Sequence, residues 1–221
     1  MTNTQSVQAM ASLMVESTTQ MLDRWAHLVL SGHPQIEVEN EITSTAGEII
    51  AKTSFGIDHI SGRQVFHKLR NLQMTLFKTN RLVGVPFAGI LNAGKAREAK
   101  RLGEEIDELF REVITARREN QAAAAAAAEV VQQNDLLSLL LKESGGEGKL
   151  GRWLSTTELI DECKTFFFGG HETTALALTW TLLLLGIHTE WQIQLRDEIK
   201  EVLGDKESDF DFTKLSQLKK V

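Results

Sequence analysis

With 221 residues, 42% of them hydrophobic and 24% charged, the chain suits one domain or a piece of a larger one, and it is too apolar to be disordered by composition. A net charge of −6 excludes the basic balance of a nucleic-acid binder and falls short of an acidic solvating tail. The one cysteine, Cys163, excludes an internal disulfide and points to a reducing compartment or to a family that does not use disulfides.

Met1 to Gln20 is polar and mixed, without the basic and apolar stretches of a signal peptide. The spacing of Met10, Met14, Met21, Trp25 and Leu28 predicts a helix over Val7–Leu30, stopped by Ser31-Gly32-His33-Pro34. A second helix is expected over Glu37–Phe55, with Ile42, Ala46, Ile49, Ile50 and Thr53 on one side and Gly56 at its end. A third, over Arg63–Phe77, carries Val65, Phe66, Leu69, Leu72, Leu76 and Phe77. The loop Val83–Leu91 is apolar, which marks either a contact surface or a segment packed on the core. Ala93–Asn120 reads as a long charged helix with a stripe of Leu102, Ile106, Leu109, Phe110, Val113 and Ile114.

The seven alanines Ala122–Ala128 favour helix but offer no specific packing, and a flexible connector is expected at about 120–133. Asn134-Asp135 caps a short helix through Leu141, and the Gly-rich Ser144–Gly151 is a loop. Ser155-Thr156-Thr157-Glu158 is a capping box that opens a helix of about 155–188. That helix is apolar nearly all round, which predicts burial through the centre of the protein. Its most apolar part, Ala175–Ile187, has 13 residues, short of the roughly 20 that span a membrane. Thr189 is expected to cap a last helix with Trp191, Leu195, Ile199 and Val202 inward and Gly204 at its end, followed by a polar, irregular stretch.

Within the central helix stands Gly169-Gly170-His171-Glu172-Thr173-Thr174. Each interior glycine costs about 1 kcal/mol against alanine, and a carboxylate in apolar surroundings is costly unless paired or wet. Two readings account for that cost. The glycines let a flat group reach the backbone, while Thr173 and Glu172 form a polar notch for moving protons. Alternatively, the glycines serve a close helix crossing and a neighbour satisfies Glu172. A zinc-protease motif is excluded, because the second histidine it needs would fall where Ala175 stands.

Phe167-Phe168-Gly169-Gly170-His171-Glu172-Thr173-Thr174 resembles the oxygen-binding motif of the cytochrome P450 central helix, Ala/Gly-Gly-x-Asp/Glu-Thr-Thr. The flanks Glu162–Phe168, Leu178–Thr181 and Glu190–Gln192, with Ala51–Gly56 upstream, are similar to the plant clan of hormone- and terpenoid-modifying hydroxylases. The resemblance implies a mainly α, partial cytochrome P450 fold, a single domain over 1–221 built around the long buried helix. It implies haem b bordered by Gly169, Gly170, Thr173 and Thr174, and substrate near Phe166, Phe167 and Phe168. Thr173 would be the alcohol that hydrogen-bonds dioxygen or its water, and Glu172 the acid of the proton relay. Val83–Leu91 would lie between the two helices that roof the substrate channel.

The implied reaction is hydroxylation of a small apolar substrate in plant secondary metabolism. It would use O2 and electrons from NADPH-cytochrome P450 reductase, at the endoplasmic reticulum membrane for full-length members. No nucleic-acid partner is expected. The family's axial cysteine segment, Phe-x-x-Gly-x-Arg-x-Cys-x-Gly, its Glu-x-x-Arg helix and its membrane anchor do not occur in these residues, and Cys163 reads as a small buried hydrophobe. The expectation is therefore an internal, truncated chain that alone neither holds haem properly nor turns over, and that is poorly soluble. The alternative is a degenerate, non-enzymatic helical derivative of the family. An unrelated helical scaffold carrying the motif by chance is the third reading.

Overall fold

The structure is a computed structural model, and it describes residues 2–57, 59–80, 93–127, 135–144, 154–204 and 212–220. Among these residues the regular elements are all helical. They are α1 (Thr2–Leu30), α2 (Val38–Phe55), α3 (His59–Asn80), α4 (Ala93–Ala126), α5 (Leu136–Ser144), α6 (Thr156–Ile187), α7 (Thr189–Leu203) and a 3₁₀ turn (Phe212–Gln217). The mainly α fold class expected from composition and periodicity is the fold observed. The apolar loop Val83–Leu91 lies outside the described residues, as does 145–151.

Local chemistry sets most helix ends. Gly32 and Gly56 follow α1 and α2 with φ of +84° and +58°, a backbone region that costs other residues strain. Past Gly56 the Ile57 amide reaches back to the Ala51 carbonyl at 3.0 Å, closing the end of α2. The capping box forms as the sequence implies. The Glu158 amide donates to Ser155 Oγ at 3.2 Å, and the Ser155 amide donates to Glu158 Oε2 at 2.8 Å. Asp135 caps α5 by accepting the Ser138 amide at 2.9 Å. Helix α4 runs past Asn120 to Ala126, where alanine propensity extends it.

Thr189 does not cap α7. The cap position belongs to His188, which makes no side-chain cap bond. The His188 amide still bonds the Leu184 carbonyl of α6 at 2.8 Å, so the connection is a single residue and Thr189 is already helical. Trp191 and Ile199, expected inward, are exposed, and α7 has no buried residue.

The chain divides into two compact units, residues 44–172 and residues 1–43 with 173–221. In the first, Phe55, Phe110 and Phe167 stand at the centre of a core with Ile106, Ile114, Leu137 and Leu159. Phe167 stacks on Phe55 at 5.9 Å and meets Phe110 edge-on at 6.2 Å. Small residues let the helices close up: a side-chain carbon on Gly62 would stand 2.7 Å from Ala51 Cβ. Arg117 of α4 is buried and ties three elements. It donates to both Asp135 oxygens at 2.9 and 2.8 Å, to Ser138 Oγ at 2.8 Å and to the Phe55 carbonyl at 2.9 Å.

In the second unit, Ala11, Ser17 and Met21 of α1 are buried, as are Ile42 and Ala175. Glu198 of α7 holds the segment after the 3₁₀ turn, accepting the Lys219 amide at 2.9 Å and the Lys220 amide at 3.0 Å. The part of α6 that belongs here keeps Leu176, Leu178, Trp180, Leu182, Leu183 and Leu184 exposed. Among the described residues, this apolar run lacks the cover that the sequence implies for it. No described helix is long and apolar enough to cross a membrane.

Candidate functional site

The motif rides on α6, where consecutive residues point about 100° apart, so its six positions face different surroundings. The two glycines do different things. A side-chain carbon on Gly170 would stand 2.6 Å from Ile50 Cδ1 of α2, so this glycine serves the close helix crossing. On Gly169 the same carbon would meet nothing within 4 Å. Of the three phenylalanines before them, Phe167 is fully buried in the core, while Phe166 and Phe168 are 43% and 37% exposed. Thr173 and Thr174 are exposed.

Gly169 and Phe168 border a cavity of about 580 Å³ between α3 and α6. Its wall is completed mainly by Leu69, Leu72, Leu76 and Phe77 of α3, so it is apolar. Three polar residues join that lining, Gln73 from α3 and Lys164 and Thr165 from α6. Size and lining match a site for a small apolar ligand with one or two polar groups. Lys164 is not an open cation. Its ammonium bonds Asp107 Oδ1 at 2.8 Å and Asp161 Oδ1 at 2.7 Å. Burial works against its charge, but the two carboxylates outweigh that and hold the amine above the ordinary lysine value.

Glu172 turns toward α3, where Gln73 Nε2 donates to its Oε1 at 3.0 Å. His171 is 3% exposed, with its Nδ1 2.7 Å from the Phe167 carbonyl and its Nε2 3.8 Å from Glu172 Oε2. Phe66, Phe167 and Phe168 surround its ring at 5.3, 5.7 and 6.0 Å. Cys163 sits a turn and a half before Gly169, fully buried. Burial, and then the charge of Glu162, push its thiol up to about 12.

The helix-crossing reading accounts for Gly170, packed against Ile50, and for Glu172, paired with Gln73, while Gly169 has open space beside it. Gln73, Lys164 and Thr165 were not singled out from the sequence. For Gln73 a signal existed: it falls four residues after Leu69 and four before Phe77, a polar side chain on an apolar stripe.

Fold and site together define an α-helical protein with an apolar cavity laid against a helix that carries the acid- and alcohol-bearing motif. The chain belongs to the cytochrome P450 family, a family of monooxygenases, whose model matches residues 1–221. It is 35% identical over 192 residues to a cytokinin hydroxylase of Arabidopsis thaliana, covering 86% of this chain and 36% of that protein. It is 32% identical to cytochrome P450 CYP72A616 of Paris polyphylla, covering 92% of this chain and 39% of the relative. It is 30% identical to cytochrome P450 714B3 of Zea mays, with 89% and 35% covered. The chain thus spans less than two-fifths of the length of these three relatives.

Proposed function

We propose that these residues form the oxygen-motif helix and one wall of the substrate cavity of a haem-thiolate monooxygenase. The reaction is hydroxylation of a small apolar molecule with O2 and electrons from NADPH-cytochrome P450 reductase. The relatives named as hydroxylases favour that reaction type. The observation that carries the reading is the meeting of an apolar cavity with the motif at Phe168 and Gly169.

The residues fit a haem on this helix. A flat macrocycle needs a stretch of helix without side chains, and Gly169 offers one. Thr173, four residues on, follows it one turn along the same helix and is exposed. Gly169, Thr173 and Thr174 would border the group, whereas Gly170 supports them from the packed side against Ile50. Bound there, haem with a thiolate ligand would supply the oxidising chemistry. That thiolate does not come from Cys163, whose thiol stays protonated in the core.

The other residues bind, orient and move protons. Leu69, Leu72, Leu76, Phe77 and Phe168 exclude water from an apolar substrate, and Gln73 and Thr165 give it polar points to orient against. Thr173, exposed on the same helix, would offer its hydroxyl to a bound oxygen species. Glu172 carries a titratable carboxylate, 40% exposed and steadied by Gln73, that exchanges protons with solvent.

Residues 1–221 expressed alone are expected to give no thiolate–carbon monoxide absorption band after haem reconstitution, reduction and treatment with carbon monoxide. The natural protein carrying an axial cysteine is expected to give it. In that protein Glu172→Gln should lower product formation by about 100-fold. The reading fails if Glu172→Gln leaves turnover unchanged, or if residues 1–221 alone give the thiolate band.

A further inference from the structure

We propose that His171 is a second proton-holding residue of the motif, a buried imidazole that exchanges one proton with Glu172 and works through it as a positioning residue. The use of that proton rests on the monooxygenase reading above; the exchange itself rests on the geometry of this chain.

The tautomer follows from one contact. His171 Nδ1 lies 2.7 Å from the Phe167 carbonyl oxygen. A carbonyl only accepts, so Nδ1 carries a hydrogen in every protonation state that keeps this bond. Any proton gained or lost while that bond holds is therefore carried by Nε2. That atom faces Glu172 Oε2 at 3.8 Å, about an ångström beyond a hydrogen bond, so the exchange requires the Glu172 side chain to move that much closer. The far oxygen, Oε1, accepts from Gln73 Nε2 at 3.0 Å, and this orients the carboxylate with Oε2 toward the ring.

With no proton on the pair, a nitrogen lone pair faces a carboxylate oxygen and the two repel. One proton on either atom turns repulsion into attraction. The pair therefore favours a single shared proton. In the exchange the Nε2–H bond breaks as the Oε2–H bond forms, imidazolium and carboxylate becoming imidazole and carboxylic acid, with no further reagent.

Exposure gives the exchange a direction. The His171 side chain is 3% exposed and that of Glu172 is 40% exposed, so the imidazole is the interior store and the carboxylate the outlet. Helix α2 meets the motif through Ile50 at Gly170. Helix α3 meets it through Phe66 and the uncharged amide of Gln73. Phe167 and Phe168 complete the ring's surroundings.

The test is a proton titration followed by ¹⁵N NMR of histidine-labelled natural protein, kept diamagnetic by reduction and carbon monoxide where it carries haem. His171 is assigned by its loss in His171→Phe, a substitution that suits the aromatic surroundings. Two results are expected. At high pH His171 shows the Nδ1–H tautomer, and in Glu172→Gln its proton affinity is about tenfold lower than in the parent. Glu172→Asp, which keeps the charge, should retain most of the parent affinity and serves if Glu172→Gln does not fold. An Nε2–H tautomer at high pH, or equal affinities in the parent and in a folded Glu172→Gln, would overturn the proposal, as would an affinity in Glu172→Asp about tenfold below that of the parent. None of these readouts needs turnover. A failed monooxygenase reading therefore shows in the carbon monoxide spectrum, and a failed proton pair shows here.

Discussion

Replacing Arg117 with methionine removes a cation that is 7% exposed and holds three elements at once. Its guanidinium makes four hydrogen bonds, two to Asp135, one to Ser138 and one to the Phe55 carbonyl at the end of α2. Methionine keeps much of the apolar stem but leaves the Asp135 carboxylate, 14% exposed, without its counter-charge. Breaking such a buried pair from one side costs about 3–5 kcal/mol. That is a large part of the roughly 5–15 kcal/mol by which domains are stable. Asp135→Asn is the natural second arm, because asparagine still caps α5 through the Ser138 amide. In urea unfolding, Arg117→Met should lose about 3–5 kcal/mol. The double variant should be more stable than the sum of the single losses predicts, by about 1–3 kcal/mol. Single losses under about 1 kcal/mol, or strict additivity, would refute the claim that this pair ties α2, α4 and α5 together.

Gly170→Ala should destabilise by about 1–3 kcal/mol, because the new methyl meets Ile50 at 2.6 Å. Gly169→Ala meets nothing within 4 Å and should gain up to about 1 kcal/mol of helix propensity, while weakening any ligand on that face; thermal melts of both separate the two glycines. Cys163 should resist a thiol reagent in the folded protein and react at once in denaturant. With its thiol pushed up to about 12, only about one molecule in ten thousand is thiolate at pH 8. Fast labelling of the folded protein would contradict its burial. Ser155→Ala should cost about 0.5–2 kcal/mol through loss of the capping box, read from the same melts.

What the sequence disclosed was mostly local. Glycines with positive φ at 32 and 56, the Ser155–Glu158 box and the Asp135 cap are decided within a few residues, and each forms as its chemistry implies. Periodicity placed the helices but not their ends: α3 begins at His59 and α4 runs on to Ala126. The failures were tertiary or competitive. Thr189 lost its cap role because α6 runs up to the preceding residue, leaving His188 as the cap position; the helix end expected at about 188 already left no room for Thr189 outside the next helix. At the motif the residue types announced an unusual site, yet their division of labour depended on a neighbour. Ile50 claims Gly170 and Gln73 claims Glu172, and both partners lie about a hundred residues upstream. The leucines of α3 were placed on a helix by their spacing, and nothing in that spacing told a cavity wall from packed interior.

Lys164 offers a test with a definite pH sign. Its folded-state value lies above the 10.5 of an ordinary lysine, held there by Asp107 and Asp161 against the opposing effect of burial. A group whose pKa is raised on folding stabilises the fold fully below its unfolded value, and the contribution fades as pH climbs through the folded value. The margin of the parent over Lys164→Met should therefore be constant from neutral pH to about pH 10 and shrink above it. Its size should be about 1 kcal/mol, since the pair is partly exposed. The chain has no tyrosine, so no phenol ionises in that window, and the buried Cys163 thiol titrates only near about 12. Urea midpoints for both proteins from pH 7 to 11.5, at one salt concentration, supply the measurement. A margin that vanishes below pH 9 would mean that the two aspartates do not hold the ammonium. A margin that does not narrow by pH 11.5 would mean that the methionine itself, rather than the lost charge, sets the difference.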